Sequence, residues 1–188
     1  MITTPDQAND QGDMSERAPS MSAMDEDRPK TDDRDPADAI DQMVADALAL
    51  AETWTAWDGT PIPVVTPYGE RLYTPHKAIR RFNDHMIDHL AQLQAELIGQ
   101  ATVADTWQAS RITTPADLAP FTAEDLLEAR NRFERLAGMW RATLNSIPAD
   151  RMDVAKGDDY TPRELAFHTL ESMDYATHVG DLSASKPQ

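Results

Sequence analysis

The sequence predicts an all-α protein, a four-helix bundle, and three observations predict it. Four stretches carry apolar residues three and four apart, the period of a single helix face. Each of them opens on a residue suited to capping a helix N-terminus, Asp35, Thr74, Thr122 or Thr161. No stretch has the long alternation of apolar and polar residues that marks an extended strand. Four helices joined by connections of moderate length pack most simply as a bundle.

Residues 1–34 are rich in Asp, Ser, Gln, Pro and Met, with almost no aliphatic residue beyond Ile2. Such a segment buries too little apolar area to offset its ordering entropy, so the sequence predicts an acidic disordered tail. The helical domain is expected over 35–182, and 183–188 as a C-terminal tail. Asp35 caps the first helix, Pro36 takes its first position, and Ile40, Met43, Val44, Ala47, Leu48, Ala51 and Trp54 give it one apolar face over 36–55. Residues 57–70 hold too many prolines for a helix. Asp58-Gly59 and Tyr68-Gly69 are turn signals, and Ile62, Val64 and Val65 fit a loop or short hairpin between the first two helices.

The second helix starts at Thr74-Pro75 and runs to Gly99. The third starts at Thr122, with Asp125 able to reach back and Phe121 able to staple onto Leu126. Its face is Leu126, Phe133, Leu136, Ala137, Trp140, Leu144 and Ile147, and Pro148 ends it. A loop over 148–159 leads to the fourth, expected over 162–180. There Thr161 and Glu164 form a capping box, Tyr160 staples onto Leu165, and Gly180 marks the end.

Composition narrows the chemistry. The chain of 188 residues has no cysteine, which excludes disulfides, thiolate metal ligands and a thiol nucleophile of its own. No apolar run reaches the ~18 residues of a membrane span. The first residues lack the basic-then-apolar order of a signal peptide, so the expectation is a cytoplasmic protein. The net charge is −16, with −7 in residues 1–40 and −9 in the rest. That sign argues against nucleic acid and anionic membranes as partners. The best basic cluster, Lys77, Arg80 and Arg81, reads as one turn of a solvated helix face.

The residues that carry chemistry lie in Phe82-Asn-Asp-His-Met-Ile-Asp-His-Leu90. The inward stripe of the second helix reads Ala78, Phe82, His85, His89, Gln92, Leu93, Glu96, so both histidines fall at positions where core residues are expected. On the fourth helix Leu165, His168, Ser172, Tyr175 and Val179 share a stripe. His85, His89 and His168 therefore form a candidate metal site, the alternative being hydrogen-bonded core histidines. All-nitrogen ligation favours zinc, nickel, copper or iron over magnesium or calcium, with zinc first and nickel or iron behind it. Asp84 and Asp88 read as solvated residues off the stripe, Glu164 as a cap, His76 as exposed and His178 as peripheral. His85-Met-Ile-Asp-His89 has Asp where the zinc-peptidase pattern needs Glu. No catalytic residue is assigned, though Tyr175 and Glu96 lie on the right stripes for a base.

Tyr160-Thr-Pro-Arg-Glu-Leu-Ala-Phe-His168 resembles the Trp-Ser/Thr-x-x-Glu-x-x-x-His signature of the DinB-like superfamily, which includes thiol-dependent S-transferases and maleylpyruvate isomerases. His85-Met-Ile-Asp-His-Leu-Ala-Gln92 resembles that family's His-x-x-x-His helix. The resemblance covers roughly residues 70–182 and runs in permuted order, the single-histidine helix following the paired one; Tyr160 stands in place of the usual Trp. It implies a metal triad of His85, His89 and His168 in a four-helix bundle, and low-molecular-weight thiols as cosubstrates. The expected function is a divalent-metal-dependent transferase or hydrolase that activates a small thiol or water. The alternative is a non-catalytic, metal-stabilised interaction module. Trp54, Trp57, Trp107 and Trp140 exceed the needs of one small core, which leaves one or two for a homodimer interface; the alternative is that they cover the core under the proline-rich loop.

Overall fold

The structure is a computed structural model that describes residues 28–66, 69–103, 112–157 and 159–185. The chain is mostly helical, with one small hairpin. Helix α1 (Pro36–Ala51) starts where Asp35 accepts from the backbone N–H groups of Ala37 and Asp38, and a 3-10 turn, Trp54–Ala56, closes it. Strands β1 (Ile62–Thr66) and β2 (Gly69–Tyr73) pair antiparallel from Ile62↔Tyr73 to Thr66↔Gly69. Helix α2 (Pro75–Leu97) begins at the Thr74 cap. Helix α3 (Ala123–Asn145) begins with a reciprocal capping box between Thr122 and Asp125.

The fourth helix departs from expectation. It is two pieces, α4 (Pro162–Thr169), capped by Thr161 and Glu164, and α5 (Ser172–Val179), which ends at Gly180. Thr169 Oγ1 donates to Leu165 O, and the N–H groups of Leu170 and Glu171 bond three residues back, to Phe167 and His168. A threonine bonded to its own helix bends it, and the tighter turn that follows separates the two segments.

Helices α1 and α2 each pack against α3, α4 and α5. Between them lie Ile40, Ala47, Phe82, Met86, Leu93, Phe133, Trp140 and Leu165, all essentially inaccessible. The Phe82 and Phe133 rings stack at 4.2 Å. The indole of Trp54 donates to Gly180 O at 2.8 Å and that of Trp140 to Met86 O at 3.1 Å. Both tryptophans are core residues and Trp57 packs against the core; Trp107 lies outside the described residues.

Two corrections bear on the site. The buried stripe of α2 is Ala78, Ile79, Phe82, Met86, Leu90 and Leu93. His85, His89, Gln92 and Glu96 sit beside it, half-buried at the edge of the core. Lys77, Arg80 and Arg81 are not a solvated face. Lys77 is 1% exposed, with Nζ donating to Leu72 O and Thr113 Oγ1. Arg80 pairs with Asp117, itself 3% exposed, and Arg81 donates to the Tyr175 hydroxyl. The hairpin and the 112–118 segment fold over the first turns of α2, and Lys77 and Arg80 fasten them there.

The tail predicted over 1–34 lies outside the described residues up to 27; within 28–34, Arg28 pairs with Glu164 at 2.7 Å. Leu182 N donates to Thr53 Oγ1, Ser183–Ser185 form a 3-10 turn, and 186–188 lie outside the described residues. Among the described residues no helix is long and apolar enough to cross a membrane.

Candidate metal centre

Helix α2 places His85 and His89 one turn apart, and α4 brings His168 in its last turn against them. The ring centroids lie 4.5 Å apart for His85–His89, 4.7 Å for His89–His168 and 5.2 Å for His85–His168. One nitrogen from each ring lies within 4.8 Å of the other two. The Nε2 atoms of His85 and His89 are 3.1 Å apart. Metal–nitrogen bonds of ~2.0–2.1 Å at a tetrahedral ion put two ligand nitrogens about 3.3 Å apart. The α2 pair fits that spacing as it stands, and the third nitrogen closes on it with a shift of at most about 1.5 Å. Three imidazoles from two helices are a donor set for a borderline transition metal.

Each ring is held at its Nδ1. His85 Nδ1 is 2.9 Å from Ser172 Oγ, His89 Nδ1 is 3.1 Å from Gln92 Oε1, and His168 Nδ1 is 3.2 Å from Glu171 Oε1. The protons can be assigned from these contacts. Glu96 Oε1 accepts from Gln92 Nε2, which turns Gln92 Oε1 toward His89. His89 must then carry its proton on Nδ1 and leave Nε2 bare. Across the 3.1 Å contact His85 Nε2 is therefore the donor, and its Nδ1 accepts from the Ser172 hydroxyl. A hydroxyl can reverse roles: with the His85 proton moved to Nδ1, Ser172 Oγ accepts it and each ring keeps an unprotonated Nε2 able to ligate. Carboxylate, amide and hydroxyl partners of this kind fix tautomer and ring orientation at metal sites.

Burial, followed by the neighbouring charges of His89, His168 and Arg81, pushes His85 down to about 3. It is neutral across the physiological range, the form in which imidazole binds a metal.

The other sequence candidates fall into place around this centre. The Tyr175 ring lies 5.9 Å from His85, and its hydroxyl accepts from Arg81 at 3.0 Å. Burial raises its pKa, which keeps it a phenol at neutral pH and unsuited to act as a base. Glu96 is likewise raised by burial, and it positions Gln92. Asp84, expected to be solvated, is largely covered and lies 3.7 Å from Arg81; Asp88 is half-buried. Glu164 closes its capping box. His76, expected to be exposed, is half-buried on Phe121, and the His178 ring lies tilted against that of Tyr73 at 4.4 Å, outside the triad. The sequence singles out no role for Glu171 and reads Arg81 only as part of a solvated face. A polar residue three positions after a candidate ligand, as Glu171 follows His168 and Gln92 follows His89, is the signal that finds the first of them.

The chain matches no protein-family model, no curated protein and no solved structure.

Proposed function

We propose that this chain is a metal-binding protein of the DinB-like kind, a four-helix bundle in which His85, His89 and His168 hold one divalent transition metal, zinc first and nickel or iron as alternatives. The observation that carries the reading is the convergence of three imidazoles whose Nδ1 atoms are all engaged, by Ser172, Gln92 and Glu171. The reaction it fits best is transfer or hydrolysis in the cytoplasm, using a small thiol or a water. A divalent ion held by three protein ligands supplies Lewis acidity, which makes such a group nucleophilic at neutral pH. The protein's own residues orient the imidazoles, keep His85 neutral and close one side of the centre with the Tyr175 ring. With no cysteine in the chain, any thiol arrives on a cosubstrate.

The test is elemental analysis of untagged protein beside His85→Ala and His168→Ala. One ion per chain in the wild type, lost in both variants, supports the reading. Metal-free protein whose variants keep wild-type stability would leave an ordinary helical protein with hydrogen-bonded histidines.

A further inference from the structure

A groove of about 310 Å³ runs between the C-terminal half of α2 and the described part of the chain that links α3 to α4. Its volume is at the lower end of the small-molecule range. Leu93, Ile147, Val154 and Tyr160 make its apolar walls. Its lining carries charges of both signs. Glu96 lines it on α2, and Lys156 and Arg151 line it on the loop side. The Lys156 ammonium donates to the Glu96 carbonyl, at the end of α2. Asp153 is taken by Arg163 at 2.7 Å. Among the described residues the Arg151 guanidinium has no hydrogen-bond or ion-pair partner. In a chain of net charge −16 this is a local reversal of sign.

Two of the lining residues also reach the histidines. The Tyr160 ring lies 5.6 Å from that of His168, and Glu96 holds Gln92, which holds His89. The groove thus leads from an unpaired cation at the surface to the edge of the candidate centre. We propose that it binds the body of the molecule whose reacting group meets the histidines, and that this molecule is an apolar carboxylate with its anionic end at Arg151. The Glu96 carboxylate, tied to His89 through Gln92, repels an anion, which leaves Arg151 as the seat of the anionic end. The reacting end rests on the function proposed above; the pocket and its charge preference do not.

The experiment titrates nitrogen-labelled full-length protein with phenylbutyrate and with the matching neutral alcohol, phenylbutanol, following the amide shifts of Leu97, Val154 and Tyr160. The acid is expected to bind the wild type about tenfold more tightly than the alcohol, the worth of one partly exposed charge-assisted hydrogen bond. Arg151→Gln, at an exposed position, removes that difference and leaves the alcohol unchanged. Val154→Trp, which fills the groove, weakens both. His85→Ala keeps the acid preference, because no histidine lines the groove. Wild-type protein that binds neither compound there, or Arg151→Gln protein that retains the preference, overturns the proposal. Metal content measured on the same samples keeps the readings apart: metal-free protein with an Arg151-dependent preference sinks the metal centre and leaves the pocket standing.

Discussion

Lys77→Met isolates the cost of a buried cation. In the folded protein burial first, and then the charge of Arg80, draws Lys77 from 10.5 to about 8. Its ammonium keeps Leu72 O at 2.8 Å, Thr113 Oγ1 at 3.1 Å and the Tyr73 ring at 4.9 Å, and these contacts do not restore the lost hydration. At ~1.36 kcal/mol per pKa unit, the protonated side chain lowers stability at neutral pH by roughly 3 kcal/mol relative to a lysine that folds without a shift. Methionine keeps most of the volume, and Thr113 Oγ1 still donates to Leu72 O at 2.9 Å, so no carbonyl is orphaned. The variant is expected to be more stable than wild type at pH 7 by about 1–3 kcal/mol.

The advantage disappears in a defined direction. Between about 8 and 10.5 the unfolded lysine holds its proton and the folded one has lost it, so wild-type stability rises with pH there and the gap closes. Tyr73 and Tyr175, both raised by burial, lose stability as pH climbs through their range; they are present in both proteins and largely cancel in the difference. Urea unfolding of the two proteins at several pH values, followed by circular dichroism, measures it. A gap that stays constant or widens from pH 7 to pH 10 refutes the reasoning.

Gln92→Leu breaks the chain from Glu96 to His89 and frees the His89 tautomer; metal affinity should fall about 10–100-fold in a chelator competition assay while the metal-free fold is kept. Asp117→Ala removes the buried carboxylate that accepts from Arg80 and from Thr114, and Arg80 loses its ion pair while keeping its bond to Ile112 O; urea unfolding should show a loss of about 3 kcal/mol. Burial alone would raise the Asp117 pKa, but the Arg80 and Thr114 bonds outweigh it and hold it low, so this stability is present above the ordinary carboxylate range and is lost as pH falls through the folded value. Gly180→Ala forces a side chain onto φ +72°, ψ −163°, and should cost about 1–3 kcal/mol and shift the Trp54 indole proton resonance, since Trp54 donates to that residue's carbonyl.

The N-termini of the helices were legible because their signals are local: Asp35, Thr74, Thr122 and Thr161 each cap where their side chains and the following proline or acid place them. The hairpin was legible as one of two options, from Tyr68-Gly69 and the β-branched residues before it. The break after Thr169 was not, since no proline or glycine marks it; the bend depends on a hydroxyl choosing Leu165 O over solvent. Lys77 was misread for a different reason. Its sequence neighbours are those of an exposed turn, and only the arrival of Leu72 and Thr113 from other segments buries it. Helical spacing and the resemblance together group the three histidines, but their register is off by one stripe: Met86 and Leu90 take the core, and the imidazoles fall at its margin. For a site that must admit a ligand, the margin is the more useful position.

The break between α4 and α5 also sets how one part of the molecule opens. Helix α5 spans eight residues, below the ~12–15 at which an isolated helix becomes even marginally stable in water. Its amide protection is therefore borrowed from its neighbours: packing on α1 and α2, the Ser172–His85 contact and the Arg81–Tyr175 bond. Were the helix continuous from Pro162, those amides would open only with α4. As two segments, residues 172–179 form a separate small unit of local unfolding, and its opening free energy is tied directly to the groups that line the histidine centre.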